Sequence, residues 1–238
     1  MEFSTKVWMF VGVLLAVILC AGLYMMYLTK HYINTFPDCD PEKPFCNIKV
    51  IPLALPDKFI QPLMEMSKVD GKRLDMPEKK QKAISLQRIQ VKQPGVVDWY
   101  QSLAPVVSAQ LGFPVHCTSL SQPNTLSLVV YEREGDYIDW HYDLNTYKGR
   151  FFTCLIPVSF EPTCGKYLYK NAQEKVEAIE LERGQALVFE GDKVYHRSAK
   201  LCAGQRRILL SCTFVTNVEF NPFRLAYHRL KNFGSFWE

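Results

Sequence analysis

The residues best suited to chemistry lie in one short stretch, residues 135–143, with the sequence GDYIDWHYD. His141 and Asp143 are two positions apart, so on a β-strand their side chains point to the same face and can bind one metal ion. A third ligand has to come from elsewhere, and His196 lies in another apolar, strand-like run. Two histidines and one carboxylate leave three octahedral positions open, which is typical of non-haem Fe(II) oxygenases.

An arginine pair, Arg206 and Arg207, follows ten and eleven residues after His196. A guanidinium group can bind a carboxylate through two parallel hydrogen bonds, as a dicarboxylate cosubstrate would require. On a strand the two arginines point to opposite faces, and both faces are mostly apolar. Periodicity alone therefore does not choose between them.

This pattern resembles the 2-oxoglutarate- and Fe(II)-dependent dioxygenase superfamily, and more narrowly its prolyl-hydroxylase-like branch. The family pattern is His-x-Asp, a distal histidine, and a basic residue about ten positions later. Tyr131 and Gly135 stand where the family tends to carry a tyrosine and a glycine upstream of the His-x-Asp. The resemblance covers about residues 115–218 and names no substrate.

The resemblance implies a jelly roll, or double-stranded β-helix, with Fe(II) bound by His141, Asp143 and His196 at its open end. It also implies that oxidative decarboxylation of 2-oxoglutarate by O₂ drives hydroxylation of a C–H bond, with L-ascorbate keeping the iron reduced. It assigns the distal carboxylate of 2-oxoglutarate to Arg206, because the family's basic residue commonly follows Gly-x, as in 204–206. Arg207 is the alternative, and Tyr131 is a further cosubstrate ligand.

Three classes of function are compatible with these residues. We favour hydroxylation of a protein or peptide side chain. The same chemistry on a small molecule, a lipid or a nucleic-acid base is the second class, and a catalytically silent, membrane-tethered binding module is the third. The intact triad argues against the third class. A net charge of +4 and the absence of a clear cationic, aromatic groove in the sequence do not favour nucleic acid.

The amino-terminal segment Val7 to Leu28 is an apolar run between Lys6 and Lys30. About 20 apolar residues suffice to cross a bilayer, whereas the apolar part of a cleaved signal peptide, the competing interpretation, has only about 7 to 15. The sequence therefore predicts a single uncleaved anchor in residues 1–30. A linker in 31–50 and a catalytic domain in 51–238 are expected to follow.

The cysteines bear on the compartment. Cys39 and Cys46 flank a Pro-rich turn and can close a short disulfide loop in an oxidising compartment, or remain two free thiols. The lysine and arginine distribution does not decide the orientation of the anchor. We expect the membrane of the endoplasmic reticulum or of another secretory compartment, with a luminal catalytic domain.

Hydrophobic periodicity predicts a mainly β domain with flanking helices, of the α+β class. Helices are expected over 57–69, over 96–111 with a kink or a restart at Pro105, and over 222–231, while 71–82 is expected to be a loop. Eight strands are predicted, at 126–131, 137–142, 151–160, 166–169, 176–181, 186–189, 194–199 and 207–215.

Overall fold

The computed structural model describes residues 2–33, 47–122, 124–159 and 164–231. The chain divides into two units, Met1–Pro37 and Asp38–Glu238. The first unit contains one helix, α1 (Glu2–Ile33), whose stretch Lys6–Tyr24 is long and apolar enough to cross a membrane and has none of its residues buried. A signal sequence near the N-terminus also meets these two criteria of length and apolar composition, so the helix alone does not separate the two interpretations.

The second unit contains the remaining described elements. In chain order they are β1 (Ile48–Pro52), α2 (Asp57–Val69), β2 (Lys72–Met76), β3 (Lys79–Ile84), α3 (Leu86–Lys92), α4 (Pro94–Ser102), α5 (Ala104–Leu111), β4 (His116–Cys117), β5 (Leu126–Tyr131), β6 (Tyr137–His141), β7 (Phe151–Pro157), β8 (Tyr167–Lys170), β9 (Val176–Ile179), β10 (Gln185–Glu190), β11 (His196–Ser198), β12 (Arg207–Val215) and α6 (Pro222–Lys231).

The strands form one antiparallel sheet in the order β1-β10-β7-β12-β5-β3-β6-β11-β8-β9, with β2 added to β3 and β4 to β12. Neighbours in the sheet are mostly distant in sequence, and the sheet curls into a half-barrel consistent with a jelly roll. All eight predicted strands are present with small shifts at their ends. The predicted mainly β architecture with flanking helices is confirmed.

Strand alternation separates an apolar face from a polar one. Leu128 and Val130 of β5 and Ile208 and Leu210 of β12 are fully buried in a core that also contains apolar side chains of α2 to α5. Because side chains alternate along a strand, the neighbouring positions point into the half-barrel. The helices therefore cover one face of the sheet and leave the inner face for a site.

Residues 71–82, expected to be a loop, instead form most of the β2–β3 hairpin. Its lysines and glutamine hide the strand pattern from a hydrophobicity analysis. The inner strand β3 pairs with both β5 and β6, so backbone hydrogen bonds across the sheet specify it. The local amino-acid composition therefore does not identify the strands with which β3 pairs.

The expected linker is also shorter than predicted at its carboxyl end. Ile48 to Val50 belong to β1, which pairs with β10. The helix expected over 96–111 restarts near Pro105, one of the two predicted alternatives, and forms two helices, α4 and α5. Pro105 lies in the first turn of α5, where a missing N–H is tolerated. Residues 34–46, with the predicted Cys39–Cys46 pair, lie outside the described residues.

Candidate metal centre

The three predicted metal ligands converge on the inner face of the half-barrel. His141 and His196 are direct partners across β6 and β11. His141 Nε2 lies 3.6 Å from Asp143 Oδ1, and His196 Nε2 lies 3.8 Å from the same oxygen. One ligand atom from each residue lies within 4.8 Å of the others. This geometry suits three adjacent positions around a single cation.

Both imidazoles are oriented by the backbone. The Nδ1 atom of His141 lies 2.7 Å from the carbonyl oxygen of Asp139, and that of His196 lies 2.8 Å from the carbonyl oxygen of Val194. An N–H at Nδ1 donating to a carbonyl leaves Nε2 unprotonated and free to bind a metal. The local backbone thus selects the tautomer that a metal ligand needs.

Asp143 is held from two sides. The Thr153 hydroxyl on β7 donates to Asp143 Oδ2 at 2.5 Å, which leaves Oδ1 facing the imidazoles. Gly191 also packs against this carboxylate, because a Cβ at its position would lie only 2.6 Å from Asp143 Oδ2. The Asp143 N–H also donates to the Gly191 carbonyl at 2.8 Å. Sequence reasoning missed Thr153 and Gly191, since only the folded sheet brings them to Asp143.

The pKa shifts of His196 and Asp143 favour cation binding at neutral pH, whereas that of His141 favours its protonated form. Burial lowers the pKa of His196 to about 4, so this imidazole is neutral. Burial acts to raise the pKa of Asp143, but His196, His141 and Thr153 outweigh it and lower that pKa. Burial acts to lower the pKa of His141, but the adjacent Asp143 carboxylate outweighs burial and raises that pKa.

A buried polar group adjoins this centre. Arg207 lies directly opposite Tyr131 in the β5–β12 ladder, and its Cζ is 4.2 Å from the centre of the Tyr131 ring. Its Nη2 donates to the hydroxyl of Ser198, two residues beyond His196 on β11. Burial lowers the pKa of Arg207, and Tyr131 opposes that effect. A cation desolvated to this degree favours an anionic ligand.

Tyr167 connects the polar group with the metal centre. Its ring stacks on His196 with centroids 5.5 Å apart, and Phe189 packs against both rings. The Tyr167 hydroxyl and Arg207 Nε are buried and make no hydrogen bond within the described residues. Buried polar atoms normally have a partner, so these two donors are available to a polar group that enters the site.

Arg206 lies on the other side of the sheet. Its Nη2 donates to the Ser67 hydroxyl of α2 at 2.8 Å and lies 3.5 Å from a Glu132 carboxylate oxygen. The structure thus places Arg207, and not the preferred Arg206, beside Tyr131. Strand register is the reason: Arg207 lies opposite Tyr131 and faces inward, and its neighbour must face the helices.

A disulfide borders the polar group. Cys164 and Cys202 are bonded, with Cα atoms 6.0 Å apart, and join the segment before β8 to the segment before β12. The adjacent Gly165 lies beside Arg207, since a Cβ there would be in van der Waals contact with the Arg207 Nη1 at 3.4 Å. Sequence reasoning missed this pair, because eight cysteines do not reveal their own connectivity.

Comparisons with known proteins give structural matches alone. No protein-family profile and no curated protein matches the chain. A Pseudomonas putida prolyl-4-hydroxylase matches with a TM-score of 0.54 and 12% identity, over 77% of this chain and 97% of that one. The epimerase SnoN, in complex with Fe³⁺, α-ketoglutarate and nogalamycin RO, matches with a TM-score of 0.59 and 10% identity, over 81% and 88%.

A third structure is a prolyl hydroxylase from Trichoplax adhaerens in complex with a peptide of the hypoxia-inducible factor oxygen degradation domain. It matches with a TM-score of 0.53 and 12% identity, over 86% of this chain and 96% of that chain. The chain has the fold of the 2-oxoglutarate- and Fe(II)-dependent oxygenases. In this oxygenase fold the triad of His141, Asp143 and His196 stands on the inner face of the half-barrel. The resemblance predicted from the sequence is confirmed at the level of the fold.

Proposed function

We propose that this protein is a 2-oxoglutarate- and Fe(II)-dependent oxygenase that hydroxylates a C–H bond of a protein or peptide side chain. One observation carries the proposal: two backbone-oriented imidazoles and a carboxylate converge beside a half-buried arginine on an oxygenase fold. His141 Nε2, His196 Nε2 and Asp143 Oδ1 would hold the metal. Fe(II) with 2-oxoglutarate and O₂ supplies the oxidant for such a hydroxylation, and L-ascorbate is the proposed reductant that keeps the iron in its active state.

Arg207 and Tyr131 are the proposed ligands for the distal carboxylate of 2-oxoglutarate. The guanidinium matches a carboxylate in shape and charge, and Tyr131 limits its orientation by stacking against it. Phe189, buried beside His196, excludes water from the same space. Arg206, whose polar contacts are with Ser67 and Glu132, has no place in this proposal.

A peptide substrate is supported by the similarity to the Trichoplax adhaerens prolyl hydroxylase, whose structure contains a bound peptide. Tyr195 stacks on Trp140 at 5.4 Å and on Tyr142 at 4.8 Å, and these three residues directly flank His141 and His196 in sequence. Because adjacent side chains of a strand point to opposite faces, this partly exposed aromatic cluster lies on the face of β6 and β11 away from the metal ligands and does not line the site.

The test uses the detergent-solubilised full chain loaded with Fe(II). Succinate release from 2-oxoglutarate is measured with proline-containing peptides, small molecules, lipids and nucleotides as candidate substrates. A proline-containing peptide that stimulates succinate release and gains one oxygen atom by mass spectrometry supports the proposal. Stimulation by a small molecule, a lipid or a nucleotide alone, with the same chemistry, would reassign the substrate class.

The proposed location is a secretory-pathway membrane, with α1 as the anchor and the catalytic unit in the lumen. The length and apolar composition of α1 support the anchor. The Cys164–Cys202 disulfide supports an oxidising compartment. In protease-protection of intact microsomes, the catalytic unit should resist digestion until detergent is added. Digestion without detergent would place it on the cytosolic side.

A further inference from the structure

We propose that Tyr167 is a further cosubstrate-binding residue, whose hydroxyl donates a hydrogen bond to 2-oxoglutarate between the metal triad and Arg207. This inference rests on the proposed function and assigns a role to a residue outside the predicted triad and clamp.

Tyr167 lies on β8, beside the strand β11 that carries the proposed metal ligand His196. Tyr167 lies opposite Ser198 in the β8–β11 ladder, and Ser198 accepts a hydrogen bond from Arg207. The Tyr167 ring is nearly parallel to the His196 ring, with an angle of 20° between the planes. One side chain therefore adjoins both a metal ligand and the partner of the half-buried arginine.

The Tyr167 hydroxyl differs from those of other buried tyrosines in its lack of a hydrogen-bond partner among the described residues. Other buried tyrosines have partners: Tyr100 donates to the Thr213 carbonyl at 2.7 Å, and Tyr147 accepts from the Ser119 N–H at 3.0 Å. The Tyr167 hydroxyl is excluded from solvent and has no such partner in the part of the chain that the structure describes. A donor held in this state is ready for a ligand that enters the same space.

The chemistry of the neighbours identifies that ligand as an anion. Arg207 Nε is a second buried donor without a hydrogen-bond partner, and it carries positive charge. A phenol and a guanidinium both donate to carboxylate oxygens, and hydrogen bonds to a charged acceptor are the stronger kind. A dicarboxylate held between the metal triad and Arg207 would offer carboxylate oxygens to both donors.

The test compares Tyr167→Phe with Tyr169→Phe. The first change removes one buried oxygen atom and keeps the ring that packs on His196. The second removes a hydroxyl from the same strand whose partner is the carboxylate of Glu177. The full chain is loaded with Mn(II), which replaces Fe(II) without turnover, and the Kd of 2-oxoglutarate is measured by calorimetry. Mn(II) binding is measured separately.

We expect Tyr167→Phe to raise the Kd of 2-oxoglutarate about tenfold or more, equivalent to about 1.4 kcal/mol. Mn(II) affinity should stay unchanged, and Tyr169→Phe should match the wild type in both. Without 2-oxoglutarate, Tyr167→Phe should unfold at the same or a higher temperature, because it loses an unpaired buried hydroxyl. The rise in unfolding temperature that 2-oxoglutarate produces should be smaller than in the wild type.

An unchanged Kd in Tyr167→Phe would overturn the proposal and leave the hydroxyl to a water molecule. An equal loss of Mn(II) affinity would also overturn it, because the effect would then pass through His196. If the wild type bound no 2-oxoglutarate, the proposed function would fail and this proposal with it. The wild-type titration therefore separates a failure of the proposed function from a failure of the Tyr167 assignment alone.

Discussion

Replacement of Arg207 by alanine should weaken 2-oxoglutarate binding far more than replacement of Arg206. Arg207 is half-buried with its Nε shielded from solvent, stacks on Tyr131 and donates to Ser198, so a carboxylate bound there would lose its only guanidinium partner within the inner face described above. Truncation of one member of a buried, hydrogen-bonded charge pair costs about 2 to 5 kcal/mol. That corresponds to a rise of roughly 30- to 5,000-fold in the Kd of 2-oxoglutarate.

Arg206→Ala is the matched control, one residue away with the same change in side chain. The Arg206 side chain is 24% exposed and lies 3.5 Å from an equally exposed Glu132 carboxylate. Loss of that ion pair and of the bond to Ser67 should cost about 1 kcal/mol of stability. The Kd of 2-oxoglutarate should stay within about twofold of the wild type, because Arg206 faces the helices and not the proposed site. A twofold change in Kd corresponds to about 0.4 kcal/mol.

Calorimetric titration of both Mn(II)-loaded variants with 2-oxoglutarate measures the two effects directly. The affinity for Mn(II) should be equal in both variants, because neither arginine is a metal ligand. A large loss of 2-oxoglutarate affinity in Arg206→Ala, with little loss in Arg207→Ala, would refute the assignment. It would mean that the register between β5 and β12 is shifted by one residue.

Three further predictions concern the walls of the site and its surroundings. Gly191→Ala should lower metal affinity about 10- to 100-fold in a metal titration, because the new Cβ would lie 2.6 Å from Asp143 Oδ2. An unaltered metal affinity would contradict the close approach of Gly191 to this carboxylate. Burial raises the pKa of Asp192 to about 6, above the unfolded value of about 3.9, so its ionisation lowers stability above pH 6 and has no effect below pH 4. Asp192→Asn should therefore raise the free energy of unfolding by about 1 to 3 kcal/mol at pH 7.5 and by nothing at pH 4, in denaturant titrations; an equal effect at both pH values would exclude this cause. Joint replacement of Cys164 and Cys202 by serine should lower the free energy of unfolding by about 4 kcal/mol, from a sequence separation of 38, and an unchanged denaturation midpoint would show that the bond stabilises little.

The convergence of the three proposed metal ligands was predictable because a local pattern contains most of the information. His141 and Asp143 share a face through strand alternation, and His196 lies in a strand that could be recognised from its composition. The eight strands were recognisable for the same reason, since their apolar runs end at turn residues. The hairpin at 72–84 was not, because pairing to β5 and β6 specifies β3, whereas its lysines suggest a loop.

The polar half of the site depends on contacts between distant segments. Arg206 and Arg207 are equivalent by periodicity, and only the pairing of β12 with β5 shows which one faces inward. Thr153 and Tyr167 reach the site from β7 and β8. No local sequence pattern predicts where these two strands lie in the curled sheet. Ser198 is the exception, because its spacing of two from His196 already places both on one face.

The most direct test is the release of succinate from 2-oxoglutarate by the purified, Fe(II)-loaded protein in the presence of O₂. Wild-type protein should release succinate, and removal of Fe(II) or O₂ should stop it. Asp143→Ala and His196→Ala should each release none, because each removes one of three ligands that face a single point. Full succinate release by both variants, or none by wild-type protein that binds neither Fe(II) nor 2-oxoglutarate, would contradict the assignment of this centre.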